Sequence, residues 1–171
     1  DMFVNFLRTN KIAAGVLAFI RIYLGYQWLT AGWGKAMGQF DAAGFIQGAI
    51  ENPGVQSWWA TFLEHVALPF SGVFSFLVAW GEVLVGLALI LGVFTNFAAL
   101  MGAIMNFAFL FSGTVSTNAQ MVLLTFFLLV AGYNAGRFGL DRWVIPFMRK
   151  LFKFDRKEQQ EDRAHKEVAT V

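Results

Sequence analysis

Ala79-Trp80-Gly81-Glu82-Val83-Leu84-Val85-Gly86 places one carboxylate inside a run that is otherwise uncharged from Pro69 to Phe94. A run of this length can cross a bilayer as a helix. A carboxylate near the centre of such a helix costs about 2.5–3.5 kcal/mol on insertion scales. Ile20-Arg21-Ile22 repeats the anomaly with opposite sign, inside an apolar run from Ile12 to Trp33. Two opposite charges that a lipid-embedded chain must satisfy predict each other as partners. They also mark where intramembrane function is to be sought.

Working outward, the rest of the chain belongs to the same environment. Of its 171 residues, 57% are hydrophobic and only 14% charged. Soluble domains run nearer a quarter charged. Twenty Phe and six Trp strengthen the reading. The absence of cysteine excludes disulfides, thiolate nucleophiles, persulfide carriers and iron–sulfur ligation by this chain alone. No phosphate-binding glycine loop, dinucleotide fingerprint, zinc spacing or nucleophile elbow occurs. No metal or haem site is expected.

The predicted fold is all-α, an integral membrane four-helix bundle. The spans are Ile12–Trp33, Pro69–Phe94, Phe97–Phe111 and Ala119–Asn134, the last two short for a bilayer. Pro69 suits a first helical turn, Thr95 or Asn96 can cap the third span, and Thr117-Asn118-Ala119-Gln120 fits a capping box for the fourth. The first segment is read as a span and not a cleaved leader, because it is too long and carries Arg21. Basic residues set the orientation. Arg8 and Lys11 precede the first span, nine more follow the fourth, from Arg137 to Lys166, and only Lys35 lies in the first connection. Both termini are therefore expected on the cytoplasmic side.

The long outer connection from Gly34 to Leu68 is expected to carry a short interfacial helix over Phe40–Ile50, a turn at Asn52-Pro53-Gly54, and a second amphipathic piece from Ser57 to Leu63. It reads either as a surface-lying connector or as a partial cap over the outer mouth. After the fourth span, Asp141 is expected to cap a helix starting near Arg142, with Pro146 bending its start. Trp143, Phe147, Leu151 and Phe152 alternate with Arg149, Lys150 and Lys153, a basic interfacial helix on anionic lipid. The division is thus 1–145 as the membrane domain and 146–171 as a basic helix with a charged cytoplasmic tail.

Helix rise places Arg21 roughly 13 Å into its span and Glu82 roughly 12 Å from the same membrane face, with Asn106 also about 13 Å in. The three are expected to meet. Small residues share their faces: Gly25 and Gly32 with Arg21, Ala79 and Gly86 with Glu82, Gly102 and Ala103 with Asn106. Tyr26, Gln27, Trp28, Trp80 and Lys35 are candidates to line a pocket nearby. An Arg–Glu pair has two uses here. It can fix helix register, or it can form a polar centre in which Glu82 exchanges protons and Arg21 holds an anion or carbonyl oxygen. His65, near the outer interface, is a lesser candidate for a proton relay or ligand.

Three motifs carry a family resemblance. They are Arg21, Gly25 and Gly32-x-x-Lys35; Glu82-Val83-Leu84-Val85-Gly86 followed by Gly92-Val93-Phe94-Thr95; and Gly132, Gly136 and Gly139-Leu140-Asp141-Arg142. Over residues 12–145 this order and spacing resembles the DoxX/DoxD family of bacterial and archaeal cytoplasmic-membrane proteins. The resemblance implies membrane redox biology, the described role being the membrane subunit of thiosulfate:quinone oxidoreductase. It implies a quinone as cofactor, and Arg21, Lys35, Glu82 and Asp141 as positions to test. Phe107, Phe109, Phe111, Trp28 and Trp80 are candidate walls of a quinone cleft. The expected partners are the lipid bilayer, a soluble redox subunit and a second copy of the chain; nucleic acid is not among them. Three functions stay open at this point: a quinone-linked oxidoreductase subunit, a non-catalytic membrane scaffold for redox or stress-response enzymes, and a small-solute transporter.

Overall fold

The computed structural model describes residues 1–153, and every regular element among them is helical. α1 (Met2–Thr9) is short. Asn10 separates it from the long α2 (Lys11–Met37), and its Oδ1 accepts from the N–H groups of Ile12 and Ala13. α3 (Ala42–Glu51) and α4 (Ser57–Phe62) fill the first long connection, and α4 runs on into a π turn at Leu63–Ala67. α5 (Ser71–Leu91), α6 (Thr95–Phe111) and α7 (Asn118–Ala131) follow, then a 3-10 turn at Gly132–Gly136 and α8 over residues 141–153. The expected charged stretch Asp155–Val171 lies outside the described residues.

Three helical stretches are long and apolar enough to cross a membrane: Lys11–Met37, Ser71–Leu91 and Asn118–Gly136. α6, with 17 residues, is the short fourth. Large apolar side chains such as Phe19, Phe76, Leu84, Phe97 and Leu123 stand exposed on the outside of these helices. That surface suits lipid.

The four long helices close into a ring. α2 packs on α5 and α7, and α6 packs on the same two helices. Leu17, Leu24, Trp28, Leu89 and Leu128 fill its centre. The α2–α5 seam is the most extensive, and glycine is the reason. A Cβ on Gly32 would stand 2.6 Å from the Val83 amide nitrogen, and one on Gly25 would stand 2.8 Å from the Gly86 carbonyl oxygen. These close approaches set the register between the antiparallel pair, with Gly32 level with Glu82.

Several local expectations are corrected. Pro69 falls in the turn before α5, which starts at Ser71. Thr117 makes no capping bond to α7, and neither Thr95 nor Asn96 caps α6. That cap comes from Asp141, whose carboxylate accepts from the N–H groups of Phe94 (2.6 Å) and Thr95 (2.9 Å). Asp141 therefore serves a helix 46 positions earlier and not its own. α8 starts at residue 141 and continues through Pro146.

The connection between α2 and α5 is a cap with its own small core. Ala42, Ile46, Ala49, Leu63 and Ala67 are buried together, with Phe40, Phe45, Trp59 and Phe74 packed around them. Trp59 Nε1 donates to Ser112 Oγ at 2.9 Å, and the Ala42 N–H donates to Ser75 Oγ at 2.9 Å. The cap is thus fastened to both α6 and α5. At the opposite end of the bundle, buried Asn134 donates to the carbonyls of Leu7 (2.7 Å) and Asn10 (3.0 Å), tying α1 to the end of α7.

Candidate functional site: a capped cavity holding a lysine–glutamate pair

Glu82 does not meet Arg21. Its two carboxylate oxygens accept from Lys35 Nζ at 2.7 and 2.8 Å. The expectation failed because it measured depth from the ends of spans, whereas the glycine seam sets the register. Lys35 lies one turn beyond Gly32, and a helical Cβ leans toward the N-terminus. The Lys35 side chain is thereby aimed back at the Glu82 level. Arg21 lies eleven residues before Gly32, roughly 16 Å along the axis.

The pair sits in a cavity of about 400 Å³ between α2, α5, α6 and the cap. Aromatic side chains form its walls: Phe40 and Phe45 from the cap, Trp59 and Phe62 from α4, Phe74 from α5 and Phe109 from α6. Phe45 and Phe109 meet edge to face with ring centroids 6.0 Å apart. The Lys35 ammonium lies 5.5 Å from the ring centroids of both Phe40 and Phe109, within range of a cation–π attraction. Gln27, Ser112, Thr114 and Asn118 add polar groups. Glu82 is 1% exposed and Lys35 reaches solvent with 28% of its side chain. The carboxylate is therefore the fully buried member of the pair, and Lys35 is the partly exposed one.

Two buried polar atoms near the cavity are unmatched among the described residues. Trp28 lines the cavity, and its buried Nε1 has no hydrogen-bond acceptor among the described residues. A Cβ on Gly102 would stand 3.1 Å from that nitrogen, so the indole N–H lies against α6. One turn further along α6, Asn106 is fully buried. Its Nδ2 donates to Asn118 Oδ1 at 2.8 Å while its own Oδ1 has no partner among the described residues. Unmatched buried polar atoms are uncommon enough to need a reason.

Of the expected site residues, Glu82, Lys35, Gln27, Trp28 and Phe109 line the cavity and Asn106 lies just beneath it. Tyr26 and Trp80 turn outward, 60% and 38% exposed, and Phe107 and Phe111 are exposed as well. His65 is exposed on the π turn, with Nδ1 3.0 Å from the Thr61 carbonyl. The cap aromatics and Asn118 were not expected at the site. Their signal was the pairing of a Trp-rich loop between α2 and α5 with the largely polar stretch Ser112 to Asn118, which the loop covers.

Arg21 belongs to a second arrangement at the other end of the seam. It is buried, its Nε and Nη1 have no hydrogen-bond partner among the described residues, and Asp141 supplies an opposite charge within reach. Two glycines make room for it. A Cβ on Gly92, whose φ is +66°, or on Gly139 would overlap the guanidinium. The Leu140 and Asp141 amides donate to the carbonyls of Leu91 (3.0 Å) and Gly92 (2.8 Å). The segment Gly139-Leu140-Asp141 thus clips onto the α5–α6 turn over the Arg21 head.

The seam glycines, the Lys35–Glu82 pair and the Gly92 turn all fall within one stretch of chain, and the sequence model of the DoxX family matches residues 16–115. The chain belongs to the DoxX family. No curated protein and no solved structure matches it. For this DoxX protein the match runs from Val16 within α2 through α6 and hence covers both members of the cavity pair, Arg21 and the whole cap. Asp141 and its clip lie beyond the matched residues.

Proposed function

We propose that this DoxX protein is a quinone-interacting subunit of a membrane oxidoreductase and that the capped cavity is its quinone site. The charge distribution supports placing the cap on the outer side of the membrane, with both termini inside. The observation that carries the reading is the combination of aromatic walls with a buried Lys–Glu pair at one end. A cavity of about 400 Å³ lies within the range of small-ligand sites, which are mostly apolar with few polar groups.

The residues present fit such a head group. Lys35 has three N–H donors, and its bonds to Glu82 leave one for a ligand carbonyl oxygen. Phe40, Phe109 and Trp59 offer flat apolar faces. When bound, a quinone supplies two-electron, two-proton redox chemistry. The chain itself offers no thiol, so electrons are expected from a partner subunit. Glu82, buried against Lys35, holds or releases a proton according to whether Lys35 also bonds a ligand. Arg21 takes no part in this site and serves the α5–α6 turn.

The test uses purified protein in neutral detergent, titrated with a short-chain benzoquinone while tryptophan fluorescence is followed. Saturable quenching is expected, with Lys35→Met weakening binding at least about 10-fold through loss of a charged donor. Non-saturable quenching, or equal affinity in Lys35→Met, refutes the assignment.

A further inference from the structure

The clearest unassigned feature lies at the far end of the bundle from the cap. Arg8 on α1, Lys11 at the start of α2, Arg137 after the 3-10 turn and Arg142 on α8 converge on one concavity of about 570 Å³. Tyr133, Asn134 and Phe138 complete its lining, and no acidic side chain lines it among the described residues. A topology rule asks only for basic residues near span ends. It does not ask four of them, from separate segments, to face one hollow, where their mutual repulsion opposes folding unless an anion offsets it.

Two of the cations are held in place. Arg8 Nε donates to the Val130 carbonyl at 2.9 Å, and Arg137 Nη1 donates to the Thr9 carbonyl at 3.2 Å. Each spends part of a five-donor fork on backbone and keeps other N–H groups for a ligand. Asn134 fixes the floor by bonding Leu7 and Asn10. A preorganised guanidinium fork suits phosphate oxygens.

A separate groove of about 280 Å³, lined only by apolar side chains, runs deeper into the membrane from the same end. Phe6 and Ile12 stand at its shallow end, and Val16, Ile20 and Phe127 line it further in. Ile20 lies nine residues beyond Lys11, roughly 13 Å along α2. Cations at the membrane surface with an apolar groove descending beside the same α1–α2 elbow match the layout of one molecule class.

We propose that this end of the bundle binds an anionic phospholipid, its headgroup phosphate among Arg8, Lys11, Arg137 and Arg142 and an acyl chain along the groove beside Val16 and Phe127. Basic pockets between membrane helices are known to take such headgroups. The site is independent of the capped cavity, and either assignment can fail without the other.

The test is native mass spectrometry of the full chain in neutral detergent, offered equal amounts of phosphatidylglycerol and phosphatidylcholine. Preferential retention of phosphatidylglycerol at one molecule per chain is expected. Lys11→Gln combined with Arg142→Gln removes two cations whose side chains make no hydrogen bond to backbone among the described residues, Arg142 resting on the Trp143 ring at 4.9 Å. It should lower retention about 30-fold. Val16→Trp fills the groove from an exposed position and should also reduce retention. An unchanged far-UV spectrum and melting curve show that each variant is folded. Equal retention of the two lipids, or unchanged retention in either variant, overturns the proposal. Complete displacement by millimolar inorganic phosphate assigns the hollow to a free anion and also overturns it.

Discussion

Lys35→Met is the most specific perturbation of the cavity pair. Glu82 is 1% exposed, and Lys35 is the charged group that bonds both its oxygens. Methionine keeps the length and apolar stem of lysine and removes only the ammonium. Glu82 is then left alone among aromatic and aliphatic side chains. Breaking a buried pair from one side costs about 3–5 kcal/mol. Glu82→Gln breaks the pair from the other side, and the outcome differs because Lys35 has 28% of its side chain in contact with solvent. Its ammonium can rehydrate, so the loss should be about 1–2 kcal/mol. Lys35→Met with Glu82→Met removes both charges and should return to within about 1.5 kcal/mol of the parent protein. Thermal unfolding in detergent, followed by circular dichroism, reads all three. For a chain of this size 1 kcal/mol is about 2–4 °C. Lys35→Met should therefore melt on the order of 10 °C lower, Glu82→Gln a few degrees lower, and the double variant close to the parent. Equal losses in the two single variants, or a double variant as unstable as Lys35→Met, would refute the one-sided burial on which the argument rests.

The remaining expectations concern the supports of the site. Gly92→Ala forces a Cβ into the Arg21 head at a φ of +66° and should cost about 3 kcal/mol or more; Gly15→Ala, with open space around it, should melt like the parent, and indifference at Gly92 would contradict the clip. Asp141→Ala removes two charge-assisted caps from α6, about 2–3 kcal/mol. Hydrogen exchange of the 92–97 peptide should accelerate, and unchanged protection there would show that Asp141 does not cap the helix. Trp59→Phe loses the bond to Ser112 but keeps an aromatic wall, so a loss of about 1 kcal/mol with quinone quenching retained is expected. Faster proteolysis within residues 41–68 would report the loosened cap, and a loss as large as that of Lys35→Met would contradict this account.

Much of the architecture was legible because lipid imposes a simple rule: backbone groups must bond within helices and the outside must be apolar. The apolar runs therefore marked the helices, and the interruptions Arg21 and Glu82 marked positions that had to be buried. The family motifs also pointed to positions that prove to be close-packed, notably Gly25, Gly32, Gly86, Gly92 and Gly139. What misled was pairing by depth. Helix rise gives distance along one helix, but the offset between two helices depends on which small residues interlock. Arg21 and Lys35 stand fourteen residues apart on α2, roughly 21 Å, and the glycine seam brings Lys35 to the level of Glu82.

The sequence by itself determined the all-helical class, the presence of two charges needing partners and the glycines that let helices approach. These follow from local propensity and from the cost of charge in an apolar medium. Only the tertiary structure decided that Lys35 holds Glu82, that Asp141 caps α6 across 46 positions, and that the connection between α2 and α5 folds into an aromatic lid. Those outcomes depend on register and on contacts between distant segments, which are set by how the glycine seam closes and not by any run of residues read alone.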